Sequence, residues 1–227
     1  AAWEGELADR VHSALAWVRP EGPAREPMLP ANGPILKALR LPRTMAITHA
    51  AEIGVDAQLE ALERALAAGL RLVQVREGAL PEDAREDFAR AVLARVRAHG
   101  GLLLVNGDEA LARRIGADGV HLPARRLMAA QGRPDFPWVG ASCHDRTELE
   151  RAAALELDYA LLGPVLPTLT HPGQAGMGWE GFAATAAGLP LPVFALGGLA
   201  ADDMERARDA GAHGIAAIRA IWRTARE

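Results

Sequence analysis

The stretch Ala67-Ala68-Gly69-Leu70-Arg71-Leu72-Val73 decides the fold, because it joins the end of a helix to a buried strand through a glycine. Similar joins recur at Ile115-Gly116-Ala117-Asp118-Gly119-Val120 and at Ala210-Gly211-Ala212-His213-Gly214-Ile215. Their glycines are spaced by multiples of about two dozen residues, which indicates a repeated unit. Helix, glycine and strand make a β/α unit, and right-handed crossovers assemble such units into a parallel sheet. Sheets of this kind place functional groups at the carboxyl ends of their strands.

From Thr44 onward the sequence contains eight apolar runs with little alternation, which is typical of strands covered on both faces. Amphipathic stretches such as 57–68 and 81–98 separate them. This pattern predicts a (β/α)8 barrel over residues 44–227; a doubly wound open sheet is the alternative, because a local pattern cannot show closure. The predicted strands are Met45–His49, Leu72–Arg76, Leu102–Asn106, Gly119–Leu122, Val139–His144, Tyr159–Val165, Val193–Gly198 and Gly214–Arg219.

Residues 1–43 do not follow the repeat and form a short N-terminal extension. Leu15–Val18 has the pattern of a strand, and a short helix is predicted from Pro34 to Arg40. About 40 residues cannot hold a core alone. We therefore expect a linker or the remnant of another domain.

The composition of the chain limits the kinds of partner that it can be expected to bind. The chain has 227 residues, of which 50% are hydrophobic, and its net charge is −4 without a basic block. A nucleic-acid partner is therefore not expected. No apolar run reaches the roughly 18 residues that cross a bilayer, so no membrane partner is expected either. The single cysteine, Cys143, fits a reducing compartment, and we predict a cytoplasmic protein.

Polar residues end the second and third predicted strands. Gln74 and Arg76 face the same side, towards the barrel mouth, where a guanidinium suits a phosphate or a carboxylate. The alternative is an internal ion pair of Arg76 with Glu77 or a neighbour. Asn106 precedes Gly107, which indicates either an Asn-Gly turn or an amide that holds a ligand oxygen.

His144 ends the fifth strand beside the start of a helix, so it is the candidate general acid–base group. A histidine of the core is the alternative. The segment Asp145–Glu148 has the pattern of a capping box. Other histidines near strand ends lack the spacing of metal ligands, so no metal site is expected from His49, His121 and His171.

Two further regions lie at the predicted mouth. The loop after the sixth strand, 163–178, is long and carries Thr168 and Thr170, which suggests a lid. The pair Gly197-Gly198 and the end of the eighth strand at Ile218-Arg219 follow the last two strands, where barrels commonly bind phosphate.

Taken together, these motifs resemble the superfamily of small (β/α)8 barrels that contains thiamine phosphate synthase and thiazole tautomerase. The resemblance implies that the synthase joins a phosphorylated thiazole to a pyrimidine pyrophosphate and releases pyrophosphate with the help of magnesium. It assigns the pyrophosphate side to Gln74, Arg76, Asn106, Thr168 and Thr170, and the thiazole phosphate to Gly197, Gly198, Ile218 and Arg219. The likeness covers about residues 44–222 and is carried by 73–77, Asn106, 116–122, 139–144, 162–173 and 195–199.

The sequence departs from this family where the resemblance implies metal-binding aspartates. Gly107 stands in one such position, and Pro123–Arg126 replaces the segment that holds the other. Without these carboxylates Mg²⁺ lacks hard oxygen ligands. We therefore expect no cofactor, with Mg²⁺ required only if synthase activity is retained. Arg219 replaces a small serine, and it would either bind phosphate or fill the pocket.

These departures make a metal-independent, tautomerase-like isomerisation of a phosphorylated thiazole, with His144 as acid–base group, the first functional hypothesis. A ligand-binding or regulatory barrel is the alternative, and a working synthase is the second alternative. Residues 1–43 resemble the end of a Nudix hydrolase domain, so that the barrel would serve an 8-oxo-dGTP pyrophosphatase-like fusion. The expected partner is a small phosphorylated thiazole or a related phosphate ester, and homo-oligomerisation stays open.

Overall fold

The computed structural model describes residues 19, 20, 22, 29, 32–168 and 175–222. Its contacts divide the chain into two units, residues 1–40 and 41–227. In the first unit the described helix is α1, Asn32–Arg40, which confirms the predicted short helix. It exposes Ile35 and Leu39, and basic side chains occupy its last turn. The strand predicted at 15–18 lies outside the described residues.

The second unit is a closed barrel of eight parallel strands in sequential order, so the barrel prediction is confirmed and the open sheet is wrong. The strands are β1 Thr44–Ile47, β2 Leu72–Val75, β3 Leu102–Asn106, β4 Gly119–Leu122, β5 Trp138–Cys143, β6 Tyr159–Leu162, β7 Val193–Leu196 and β8 Gly214–Ala217. The helices of this unit are α2 Ala50–Ile53, α3 Val55–Ala67, α4 Glu82–Ala98, α5 Glu109–Ile115, α6 Ala124–Ala129, α7 Arg146–Ala154, α8 Gly178–Ala186 and α9 Met204–Asp209, with 3-10 turns at Ala201–Asp203 and Ala220–Trp222.

The recurring glycines reverse the chain after a helix. Gly69, Gly116 and Gly211 have φ of 103°, 69° and 87°. These values lie in the region that other residues avoid, so glycine is the residue suited to such a join. The repeat in the sequence is therefore a repeat of backbone geometry.

Six predicted strands end one to three residues earlier than expected at their carboxyl ends. After β6 the chain meets Gly163-Pro164, and the proline has no N–H for a ladder bond. After β7, Gly197 has φ of 102°, which leaves the extended conformation. The residues beyond these points are free to turn into the mouth, so the early ends help to build the site.

Apolar side chains pack in two layers. Between the sheet and the helices, Phe88, Val92, Leu93 and Val96 of α4 are buried, as their spacing predicts. Inside the barrel a second cluster fills the space below the mouth. Its members are Leu41, Met45, Ile47, Leu72, Leu104, Tyr159, Leu161, Phe194 and Ala216.

Tyr159 fits inside the barrel because β5 provides space for its ring. A Cβ on Gly140 would lie 2.0 Å from the Tyr159 ring, so no larger residue is compatible with this packing. Tyr159 also contacts Phe194 edge to face, with ring centroids 5.8 Å apart. This aromatic layer closes the barrel below the polar mouth.

Candidate functional site

A cavity of about 370 Å³ lies at the carboxyl ends of the strands. Most of the residues predicted for the site lie around it, whereas Thr170 is outside the described residues. A second cavity of about 280 Å³ shares Thr168, Gly197 and Ile218 with the first and adds Gly198 and Arg219. The predicted residues that line the first cavity are Gln74, Arg76, Asn106, His144, Thr168, Gly197 and Ile218.

Two amide side chains from neighbouring strands meet at the floor of the first cavity. Gln74 Nε2 donates to Asn106 Oδ1 at 3.0 Å. Gln74 is 1% exposed, and its Oε1 has no hydrogen-bond partner among the described residues. Buried polar atoms are normally paired. The acceptor at Gln74 Oε1 is therefore suited to an N–H group of a bound molecule.

Arg76 brings a positive charge to the same cavity. Its side chain is exposed, and the described part of the chain contains no ion pair of its guanidinium. The expected alternative, a pair with Glu77, is not formed. Glu77 is instead buried and accepts hydrogen bonds from the backbone N–H groups of Ala50 and Ala51 at 2.7 and 2.9 Å. Arg76 is thus available to an anionic ligand.

His144 lies at the rim with a carboxylate behind it. Glu148 Oε2 accepts from the backbone N–H of His144 at 2.6 Å and lies 2.9 Å from its Nδ1. The Asp145 side chain in turn accepts from the backbone N–H of Glu148 at 2.9 Å and caps α7. With its Nδ1 hydrogen directed to Glu148, a neutral His144 offers Nε2 as a base.

Ser142, which also lines the cavity, is connected to the barrel interior. Its Oγ lies 2.8 Å from His121 Nε2, and His121 Nδ1 lies 2.9 Å from Tyr159 Oη. Burial lowers the pKa of His121 to about 3, and the nearby charge of Arg76 acts in the same direction. His121 is therefore neutral at physiological pH.

Carboxylates are absent from the residues described around the first cavity. Those nearby are engaged elsewhere: Asp108 caps α5 through Leu111 N–H and contacts Arg85 at 3.4 Å. Glu77 and Glu148 are occupied as described above. Within the described ranges, no group of three or more histidine, cysteine or acidic side chains could hold a metal ion. The described side chains around this cavity therefore do not provide the hard oxygen ligands that Mg²⁺ requires.

The second cavity is lined by the glycine turn after β7 and by the residues after β8. Gly197 and Gly198 have φ of 102° and 70°, and a Cβ on either would come within 2.7 Å of the 164–167 segment. Close backbone packing therefore accounts for both glycines, and both line the second cavity. Arg219 lines the cavity without filling it, and its guanidinium contacts Glu52 at 2.8–3.1 Å.

Three site residues were not among those predicted from the sequence. The capping-box pattern at Asp145–Glu148 was the signal for Glu148, since the glutamate of that pattern turns out to hold His144. Ser142 lies two residues before His144, so the alternation of side chains along an extended segment could have identified it. No sequence pattern indicated Glu52, because its ion-pair partner, Arg219, lies at the other end of the barrel sequence.

The fold and the site define a (β/α)8 barrel whose mouth brings an amide pair, a guanidinium and a glycine turn to two cavities. Residues 44–221 match the protein family described as thiamine monophosphate synthase, and the chain belongs to this family.

The relatives extend over most of the chain. It is 42% identical over 177 residues to a thiamine-phosphate synthase of Chromobacterium violaceum, covering 74% of this chain and 83% of that protein. It is 38% identical over 182 residues to a putative thiamine-phosphate synthase of Geobacter sulfurreducens, covering 77% and 84%. The structure of a thiamine phosphate pyrophosphorylase from Pyrococcus furiosus superposes with a TM-score of 0.68 at 24% identity, covering 81% of this chain and 88% of that one. This last likeness supports the fold.

Proposed function

We propose that the chain is an enzyme of the thiamine-phosphate synthase type, which joins a phosphorylated thiazole to an aminopyrimidine pyrophosphate. The observation that carries this proposal is the single mouth that collects an amide pair, a guanidinium and a glycine turn. Relatives named thiamine-phosphate synthase support it. The synthase, placed behind the tautomerase in the sequence analysis, is thus the better supported activity.

The chemistry of the two cavities suits the two substrates. Gln74 Oε1 is an acceptor for the amino group of a pyrimidine, and Asn106 provides an adjacent amide donor. Arg76 lies in the same cavity and is suited to the pyrophosphate. The turn at Gly197-Gly198, with Arg219 beside it, is suited to the thiazole phosphate.

Charge neutralisation of the departing pyrophosphate falls to guanidinium groups in this proposal. In the reaction a bond forms between the thiazole and the pyrimidine, and the bond to pyrophosphate breaks, so negative charge develops on the leaving group. Arg76 faces that side of the mouth and pairs with no carboxylate of the described residues. A fixed cation next to developing charge stabilises the transition state.

Proton transfer on a phosphorylated thiazole is the second candidate function. The contact between His144 and Glu148 favours it, because a carboxylate that holds one imidazole nitrogen leaves the other to exchange a proton. This candidate requires no second substrate. The two functions can therefore be separated by supplying the thiazole compound with and without the pyrimidine.

The experiment measures thiamine phosphate formed from both substrates, with Mg²⁺ or with EDTA. We expect product in EDTA, a loss of about 100-fold in Arg76→Ala and a small effect in His144→Ala. Arg90→Ala is the matched control, since Arg90 pairs with Glu86 on the surface and should retain activity. Failure to form product under either condition would overturn the synthase. Isomerisation of the thiazole alone, lost in His144→Ala, would establish the second candidate.

The remaining predictions are proposals without support from the comparisons. The matched family begins at residue 44, so residues 1–43 gain no link to a Nudix hydrolase, and a regulatory role in such a fusion has no further support. We propose an extension over 1–43 and a barrel domain over 44–227.

Within the described ranges, no helix is both long and apolar enough to cross a membrane. A cytoplasmic location and homo-oligomerisation stay predictions.

A further inference from the structure

Three side chains form a hydrogen-bonded chain from the barrel interior to the mouth. Tyr159 Oη contacts His121 Nδ1 at 2.9 Å, and His121 Nε2 contacts Ser142 Oγ at 2.8 Å. Tyr159 and His121 are both 0% exposed, whereas Ser142 is partly buried and lines the first cavity. These hydrogen bonds thus connect the buried side chains of Tyr159 and His121, which no ligand can reach, to Ser142, which a ligand in the cavity can contact.

The direction of these hydrogen bonds follows from the needs of Tyr159. Among the described residues, His121 is the hydrogen-bond partner of the Tyr159 hydroxyl. If Tyr159 did not donate to Nδ1, its O–H would be a buried donor without an acceptor, which is strongly unfavourable. A neutral imidazole that accepts at Nδ1 carries its hydrogen on Nε2. His121 therefore donates to Ser142.

This direction decides what Ser142 presents to the cavity. Because Ser142 Oγ accepts from His121, its own hydrogen is not used in that contact and can point to a ligand. In the opposite direction, Ser142 would donate to His121 and turn its lone pairs towards the ligand. A hydroxyl donor is the form that complements an anion, and Arg76 in the same cavity would attract the same anion.

We propose that His121 and Tyr159 are positioning residues that hold the Ser142 hydroxyl as a hydrogen-bond donor to an anionic oxygen of the bound ligand. The identity of that oxygen, as part of a pyrophosphate, rests on the proposed function. The direction of the hydrogen bonds does not, because it follows from the unliganded protein alone.

The first test reads the tautomer of His121 without any ligand. Long-range ¹H–¹⁵N correlation spectra of the ¹⁵N-histidine-labelled protein, with His121→Gln used for assignment, distinguish a hydrogen on Nε2 from one on Nδ1. We expect the Nε2–H tautomer at pH 7. The Nδ1–H tautomer would overturn the inference.

The second test is a double-mutant cycle with inorganic pyrophosphate as the probe, measured by calorimetry. Ser142→Ala should weaken binding about tenfold. Tyr159→Phe should weaken it about twofold to fivefold, because Ser142 then spends part of its time donating to His121. In the Ser142→Ala background, Tyr159→Phe should have no further effect.

An equal loss from Tyr159→Phe in both backgrounds would show a structural role only and would overturn the proposal. Phe88→Leu is the matched core control, because Phe88 is buried outside this chain of hydrogen bonds and should leave pyrophosphate binding unchanged. Absence of pyrophosphate binding in the unmodified protein would contradict the proposed function, and the tautomer of His121 would still decide the present inference.

Discussion

The two ends of the barrel differ in how completely the protein itself satisfies their polar side chains. At the amino ends of the strands, carboxylates complete the backbone: Asp118 accepts from Leu103 N–H at 2.8 Å, and Asp158 accepts from Val139 N–H at 2.7 Å. At the carboxyl ends, Gln74 Oε1 has no partner among the described residues. Carboxylates accept backbone hydrogen bonds at both ends, Glu77 and Glu148 among them, but the mouth also holds a buried acceptor, Gln74 Oε1, that a ligand can fill.

This difference separates stability from function. A polar group that is satisfied internally contributes to the free energy of unfolding, and its loss leaves a buried donor unpaired. A group that faces a cavity contributes little until a ligand arrives. Substitutions at the amino ends should thus lower stability and spare binding, whereas substitutions at the mouth should do the reverse.

The largest expected effect is a loss of stability from a substitution at the amino ends of the strands. Asp158→Ala removes the acceptor for Val139 N–H and for Arg133, whose Nη2 lies 2.7 Å away. The Asp158 side chain is 8% exposed and that of Arg133 is 26% exposed. Loss of this partly buried pair, together with an unpaired Val139 N–H, should cost about 4 kcal/mol of the free energy of unfolding. Urea unfolding measures this loss.

The matched control is Glu150→Ala, which removes an ion pair with Arg146 in which both side chains are far more exposed. It should leave the unfolding midpoint nearly unchanged. Pyrophosphate binding should be intact in both variants. Weaker binding in Asp158→Ala at a temperature where it is fully folded would show that the two ends are coupled.

The second prediction concerns His121, which lies between the two ends. Its pKa is lowered from 6.5 to about 3 by burial, so the folded state binds this proton less readily than the unfolded state. The stability associated with the neutral imidazole is present above pH 6.5 and is lost as the pH falls. Between pH 6.5 and 4 the loss should reach about 3 kcal/mol.

Unfolding experiments over this pH range should compare the protein with His121→Gln, which cannot titrate. The variant should lose less stability on acidification. Parallel pH profiles would contradict the assignment. His213→Gln is the comparison at the amino end: burial also lowers the pKa of His213, whose Nε2 donates to Leu41 O, so this variant should likewise lose less stability on acidification.

Much of the barrel could be predicted from the sequence because its determinants are local. Glycines with positive φ mark the joins, and unalternating apolar runs mark the strands. The same strand ends indicated Gln74, Arg76 and His144, all of which lie at one cavity. Closure of the sheet depends on pairing between β1 and β8, which no local pattern contains.

Contacts between distant segments explain what the sequence did not predict. Glu52 meets Arg219 only because β1 and β8 are neighbours in the closed barrel. An ion pair of Arg76 with Glu77 was the alternative left open by the sequence, yet Glu77 accepts hydrogen bonds from the backbone at the start of α2. Such contacts decide whether a charged side chain at the mouth is paired within the protein or can bind a ligand. They depend on the folded structure and cannot be deduced from a local sequence pattern.

The prediction with the smallest expected effect tests whether the Arg219 guanidinium, like that of Arg76, can bind an anion at the mouth. Glu52 accepts from Arg219 and partly neutralises its charge beside the second cavity. Because the pair is exposed, it contributes little stability and can be displaced by a phosphate dianion, which binds a guanidinium more strongly. Glu52→Gln should therefore leave the unfolding midpoint unchanged and raise the affinity for inorganic phosphate about threefold.

Calorimetry with inorganic phosphate at low and high ionic strength measures this change, and the gain should shrink as salt screens the charge. Glu63→Gln is the matched control, since Glu63 meets Arg95 on the outer surface at 3.6 Å. Weaker phosphate binding in Glu52→Gln would show instead that Glu52 holds Arg219 in its binding position. In that case this sector of the mouth would resemble the amino end of the barrel, where a carboxylate fixes its neighbour in place.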